Sequence, residues 1–300
     1  MVDISRFNTH ILPVRFEYFA PETLDEVIEL LKTYGEEAKI LAGGTDLLVK
    51  MKQRLVSPKY VISLRRVKEL DFIEVRDDGI HIGAATKLRR LERSDVIRRR
   101  LPVLYEAIKS MASVQVRNMA TIGGNLCNAS PAADTAPPLL VLDAKLKIMG
   151  PEGARVVPID KFFLGPGKTV LKPTELLTEI IVPHPKEGTG TAFIKVSRVA
   201  MDLAKVNIAV ALRLGNGDVI EYVRIALGAV APTPMRAYKA EEFLLGKEFS
   251  EENIVKAAEI VGGEVRPITD IRSTAEYRRE LSKVLTKRAL KIAYERVRMR

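Results

Sequence analysis

The stretch Lys39-Ile40-Leu41-Ala42-Gly43-Gly44-Thr45-Asp46-Leu47-Leu48 constrains this chain more than any other. Ile40 to Ala42 is a short apolar run that reads as a buried strand. Two consecutive glycines break it, and Leu47 to Met51 resumes with helical character. Thr45 and Asp46 stand where N-cap residues belong. Paired glycines let successive backbone N–H groups turn the same way without Cβ clashes, which forms a concave nest of donors suited to a diphosphate. A helix N-terminus behind the nest adds partial positive charge. A Gly-Gly between strand and helix also serves as a plain tight connection, so the nest needs a second signal.

That signal is Arg117-Asn118-Met119-Ala120-Thr121-Ile122-Gly123-Gly124-Asn125-Leu126, where an apolar approach again meets paired glycines and small polar residues continue to Ser130. Two such nests could grip one long ligand that carries a diphosphate. The pair Ala42-Gly43-Gly44-Thr45-Asp46 and Thr121-Ile122-Gly123-Gly124-Asn125, in that order, resembles the FAD-binding medium subunit of the molybdenum hydroxylases. That family includes the flavoprotein subunits of carbon monoxide dehydrogenase and the FAD domain of xanthine dehydrogenase. The resemblance runs from Phe16 to Arg288. It implies an α+β fold, with a PCMH-type FAD-binding domain of two subdomains followed by a C-terminal domain of antiparallel sheet and helices.

The resemblance also implies roles. Ala42, Gly43, Gly44, Thr45 and Asp46 would form the first cradle of a noncovalent FAD, mostly through backbone N–H. Thr121, Gly123, Gly124 and Asn125 would form the second, with the Thr121 hydroxyl added. In Ser130-Pro131-Ala132-Ala133-Asp134, Asp134 is similar to the family carboxylate that holds a sugar or ribityl hydroxyl; a helix N-cap is its other reading. Glu175-Leu176-Leu177 matches a strand whose backbone lies beside the flavin ring. Lys195 and Arg198 match a basic segment near that ring, where positive charge would favour the reduced flavin. Asp202 fits the family pattern without an evident role.

The remaining periodicities supply the frame. Phe16 to Phe19 is a strand. Thr23 and Glu26 form a capping box before Leu24, Val27, Ile28 and Leu31, and Gly35 closes that helix. Ala38–Leu41 and Tyr60–Leu64 are strands. Asp77-Asp78-Gly79 turns a hairpin between alternating strands. Helices are expected from Leu88 to about Arg100 and from Pro102 to Met111. Further strands cover 144–149, 154–157 and 176–182. Pro183-His184-Pro185 with Gly188 and Gly190 marks the expected boundary between a 1–186 FAD-binding domain (subdomains about 1–64 and 65–186) and a 187–300 C-terminal domain. Beyond it, Val206, Ile208, Val210, Leu212 and Leu214 alternate cleanly, so one face of that sheet should be buried. Three helices close the chain, the last opened by a Ser273/Glu276 capping box.

Several other signals fail. Gly165-Pro166-Gly167-Lys168-Thr169 ends like a phosphate-binding loop, but Phe162 stands where the first glycine is required. His10, His81 and His184 lack metal-ligand spacing, so no metal site is expected. Cys127 is the only cysteine; a cluster needs four thiolates, so it reads as a small hydrophobe. No nucleophile, base and orienting group converge, which leaves the chemistry to the cofactor.

The balance of 48 Lys+Arg against 38 Asp+Glu, formally +10, raises nucleic acid as a partner. The basic residues are mostly interleaved with acids, however, and no nucleic-acid motif appears. No apolar run reaches the ~20 residues of a membrane span. Met1 to Arg6 lacks an apolar leader, which leads us to expect a cytoplasmic protein. The resemblance implies an electron-transfer role beside a molybdopterin-binding large subunit and a [2Fe–2S] small subunit, with an external electron acceptor. The alternatives are a self-sufficient FAD oxidase and a basic nucleic-acid-binding module.

Overall fold

The structure is a computed structural model that describes Leu12 and residues 15–299; Met1 to Arg6 and His10 lie outside them. Strands β1 (Glu17–Phe19), β2 (Ala38–Leu41) and β3 (Tyr60–Ser63) form a parallel sheet in the order β1-β3-β2. Helix α1 (Leu24–Tyr34) covers it. Its start is the expected capping box: Thr23 accepts from the Glu26 N–H, and the Glu26 carboxylate accepts from the Thr23 N–H. Its end is Gly35 at φ 47° and ψ −123°, a conformation that costs a side chain dearly. Val27, Ile28 and Leu31 bury against Ile62, and Tyr34 stacks on Tyr60 with centroids 3.9 Å apart. Helix α2 (Leu47–Lys52) follows the first glycine pair.

The second lobe is a five-stranded antiparallel sheet in the order β4-β5-β10-β6-β7. Its strands are β4 (Ile73–Arg76), β5 (Gly79–Gly83), β6 (Lys145–Gly150), β7 (Gly153–Pro158) and β10 (Leu176–Val182). The expected helix from Leu88 to Arg100 is two helices, α3 (Leu88–Arg93) and α4 (Asp95–Arg100). Ser94 breaks it by turning extended and capping Ile97 N–H. Helix α5 (Pro102–Ser110) begins on a proline whose missing N–H would be unsatisfied anyway. Val114 to Met119, just before the second glycine pair, is helix α6, capped by Ser113. Then come α7 (Ile122–Cys127) and α8 (Ala136–Val141). Gly165 to Lys168 turns a small hairpin, β8 (Phe163–Gly165) to β9 (Lys168–Thr169), which has no strand–loop–helix frame for a nucleoside triphosphate.

The last sheet is antiparallel: β11 (Gly190–Val196), β12 (Val206–Leu214), β13 (Ile220–Gly228) and β14 (Met235–Arg236). Val206, Ile208, Val210 and Leu212 face the helices α9 (Tyr238–Leu244), α10 (Glu251–Glu264) and α11 (Ala275–Arg298). The opposite face is buried as well. Ala209, Ala211 and Ala226 lie in the core of the second lobe, and their small side chains admit α8 against β12 and β13. Helix α11 is capped by Thr274 rather than Ser273, because Asp270 Oδ1 already holds the Ser273 N–H in a turn. Among the described residues, no helix is long and apolar enough to cross a membrane.

Gly190 shows how tightly α11 crosses β11: a Cβ there would overlap Ala293 O and stand 2.7 Å from Val297 Cγ2. Gly190→Ala should therefore destabilise the chain by ~1–3 kcal/mol through overpacking. Urea unfolding should show a lowered midpoint with an unchanged slope.

Candidate functional site

At the first glycine pair the chain leaves β2 and enters α2. Gly44 sits at φ 77°, which glycine adopts without strain. The backbone N–H groups of Gly43, Gly44, Thr45 and Asp46 have no acceptor among the described residues, while Gly44 O accepts from Leu48 N. Four consecutive unpaired donors ahead of a helix make an anion cradle. Asp46 is the N-cap by position but makes no capping bond; its carboxylate accepts from Asn128 Nδ2 (3.0 Å) instead.

The second pair is built differently. Gly123 and Gly124 are not in a loop but in the first turn of α7, whose N-cap is Thr121. Their amides are already used: Ile122 N–H donates to Thr86 O, Gly123 N–H to Ala84 O (2.9 Å), and Gly124 N–H to Thr121 Oγ1 (3.1 Å). A Cβ on Gly123 would lie 2.6 Å from Ala84 O, so that glycine serves close packing of α7 on the sheet. A Cβ on Gly124 would crowd only Thr121 Oγ1 (2.8 Å) and would face Ala42 Cβ of the first turn (3.9 Å). The second turn thus offers the Thr121 O–H and the Asn125 side chain, whose oxygen accepts from Thr135 Oγ1 (2.6 Å).

The two turns touch. A Cβ on Gly43 would overlap Met119 O and lie 2.7 Å from Ala120 Cα, so the first turn rests directly on the backbone leading into the second. Lys50 Nζ donates to Asn128 Oδ1 (2.7 Å), and Asn128 in turn bridges to Asp46, tying α2 to the residue that ends α7. Sequence reasoning missed Lys50 and Asn128; nothing local distinguishes them from other polar surface residues.

Asp134 is buried, but it does not cap α8, whose N-cap is Thr135. Its Oδ2 accepts from Lys195 Nζ (2.7 Å) on β11, and its Oδ1 from Asn207 Nδ2 (2.7 Å) on β12. Lys195 also donates to Ser110 O (3.2 Å). Burial pushes the Asp134 carboxyl above its ordinary range, opposed by the Lys195 ammonium and the Asn207 amide. A carboxylate has about four lone-pair sites and an ammonium three donors, so each keeps capacity for a further bond. Asn207 was also missed; its one signal is a polar side chain inside the apolar run of β12. Arg198 does not join this group. It is exposed and bonds Asp202 Oδ2 (2.6 Å) within the β11–β12 connection.

Leu176 and Leu177 begin β10 and are buried, Leu176 in the core of the first lobe and Leu177 in that of the second. The strand therefore spans the junction of the lobes. Among the described residues, no three His, Cys, Asp or Glu side chains gather as metal ligands. Cys127 packs against the second core, and burial pushes its thiol up to about 12.

Two lobes thus abut at glycine turns, the first with a row of unpaired amides, and a sheet domain is held to them by a buried ion pair. A family model described as FAD binding domain in molybdopterin dehydrogenase matches residues 14–185, and one described as CO dehydrogenase flavoprotein C-terminal domain matches residues 191–293. The chain is 39% identical over 286 residues to the carbon monoxide dehydrogenase medium chain of Hydrogenophaga pseudoflava, covering 95% of this chain and 99% of that one. It is 37% identical over 276 residues to the xanthine dehydrogenase FAD-binding subunit of Escherichia coli O157:H7, covering 91% and 94%. The structure of Hydrogenophaga pseudoflava carbon monoxide dehydrogenase lacking the Mo-pyranopterin moiety superposes with a TM-score of 0.92 at 40% identity, covering 94% of this chain and 98% of that chain. The chain belongs to the FAD-binding medium subunits of the molybdenum hydroxylases.

Two outcomes follow from the geometry. Asp134→Ala leaves a buried ammonium without its carboxylate and should cost ~3–5 kcal/mol, whereas Asp134→Ala combined with Lys195→Met should recover much of that loss; urea titration of both variants decides it. With its thiol pushed up to about 12 by burial, Cys127 stays protonated at pH 8. Iodoacetamide should therefore spare the native chain and label it promptly in denaturant, as read by intact mass.

Proposed function

We propose that this chain is the electron-relay subunit of a molybdopterin-dependent dehydrogenase, receiving electrons from [2Fe–2S] clusters on a small partner subunit and delivering them to an external acceptor. Substrate oxidation belongs to a molybdopterin-binding large subunit, and the assembly works in the cytoplasm. The observation that carries this reading is the row of unpaired amides from Gly43 to Asp46, set against the capped turn at Thr121. The kinship with medium chains and FAD-binding subunits supports a partnered role.

The residues fit FAD. Its diphosphate matches the Gly43–Asp46 amides, with the Thr121 hydroxyl and Asn125 amide as donors from the other side. The open edge at Gly124, where a side chain would stand between the turns, is the gap that a ligand backbone can enter. Asp134 and Lys195, each with bonding capacity left, would hold polar atoms farther along the cofactor. The backbone at Leu176 and Leu177, where β10 begins, would lie beside the flavin ring. When bound, FAD supplies the redox chemistry, because a flavin exchanges electrons singly or in pairs. The chain's part is to bind and orient it. We divide the chain into a 1–186 FAD-binding domain, with subdomains at about 1–64 and 65–186, and a 187–300 domain.

Gly124→Val fills the gap between the turns without touching either core. It should retain the cooperative unfolding transition and weaken FAD retention on desalting at least ten-fold, while Gly44→Val additionally strains the φ 77° position. Full flavin retention in both variants would defeat the assignment. Acid precipitation should leave the flavin in the supernatant, because the binding is noncovalent.

The relay reading has its own test. Anaerobic titration of the FAD-loaded chain with aldehydes, purines or carbon monoxide should leave the flavin absorbance unchanged until partner subunits are added. Bleaching at enzymatic rates by the chain alone would mean that it is a complete oxidase.

A further inference from the structure

Away from the glycine turns, a cleft of about 320 Å³ opens where the 183–189 connection joins the two domains. Its size is at the small end of ligand pockets. Arg99 and Arg100, at the end of α4, form one wall, and Lys186 stands on the connection opposite. None of the three has an ion-pair partner among the described residues. Among the described residues, Glu187 is the one carboxylate on the wall. Three cations against one carboxylate leave two positive charges, the complement of a phosphate monoester at pH 7, which carries about −1.5 to −2. Helix α5, nine residues long, presents its uncapped N-terminus to the same cleft at Pro102.

A buried hydroxyl supplies the second, independent sign of a ligand. Thr191 lines the cleft at 4% exposure, and its Oγ1 has no hydrogen-bond partner. On β11 it shares a face with Phe193 and Lys195, the face turned to α5. Phe193 N–H is held by Glu106 of α5 (3.2 Å), and Lys195 Nζ by Ser110 O (3.2 Å). Thr191, at the level of the α5 N-terminus, is the member of that row whose polar side-chain atom is left over. An unsatisfied buried hydroxyl costs ordinary folding energy, and a ligand that accepts its hydrogen bond removes the cost.

We propose that this cleft binds a phosphate-bearing small molecule. Arg99 and Arg100 grip it through their planar forks, Lys186 neutralises it, and the Thr191 hydroxyl donates from beneath. Occupancy completes the contact between α5 and β11 and braces the FAD-binding domain against the C-terminal domain.

The test uses the FAD-loaded full chain, so that the flavin diphosphate already fills its own site, with inorganic phosphate as probe. Phosphate also stabilises proteins generally by exclusion from their surface, so the reading is the part of the thermal shift that an R99A/R100A variant loses. That part should amount to several degrees, be partly lost in Thr191→Val, and be matched by saturable, stoichiometric retention of radiolabelled phosphate in equilibrium dialysis. Flavin absorbance should be identical in all forms. An equal shift in wild type and R99A/R100A, or no saturable retention, overturns the proposal. Flavin loss in the variant, or release of flavin by phosphate, also overturns it, because the cleft would then belong to the FAD site.

Discussion

The architecture depends on one backbone contact, Gly43 against the peptide joining Met119 to Ala120. No side chain fits between them. That contact brings a parallel α/β lobe and an antiparallel lobe to a common seam, so that a turn from each opens on the same gap. Lys50, Asn128 and Asp46 fasten the edge of the seam, and β10 runs through its base with Leu176 in one core and Leu177 in the other. A methyl group at position 43 would wedge the lobes apart, which is why the glycine pair belongs to the fold before it belongs to any ligand.

The two glycine pairs look alike in sequence and work differently. The first keeps its amides free and uses a positive φ to aim them. The second spends its amides on Thr86, Ala84 and Thr121 and uses its glycines for close approach and open space. A ligand that bridges them meets a backbone donor array on one side and the Thr121 hydroxyl on the other. The C-terminal sheet adds a third support. Asp134 and Lys195 tie it to the FAD-binding domain in a setting where both are buried, and a buried pair of this kind fixes geometry more than it adds stability.

Local chemistry made much of this legible. The Thr23/Glu26 box, the Asp77-Asp78-Gly79 turn and the alternation along β12 each carry their signal within a few residues, and the structure realises each of them. Where the structure differs, a side-chain oxygen sets the helix start: Ser94 divides the expected helix by accepting from Ile97 N–H, Ser113 opens α6 by accepting from Val116 N–H, and Thr274 rather than Ser273 caps α11 through Tyr277 N–H. The polar partnerships were less visible still. Asp134 reads equally well as a cap or a ligand until Lys195 and Asn207 arrive from another sheet, and the buried second face of that sheet follows from alanines whose size means nothing without α8 above them.

The central claim is that the amides from Gly43 to Asp46 are a donor array held open for FAD, while those of the second turn are structural. Site-resolved hydrogen exchange of the flavin-free and FAD-loaded chain measures this directly. The account predicts fast exchange at Gly43, Gly44, Thr45 and Asp46 without flavin and strong protection with it, whereas Ile122, Gly123 and Gly124 are protected in both. Exchange at Gly43 to Asp46 that is slow in the flavin-free chain, or unchanged by FAD, would contradict it.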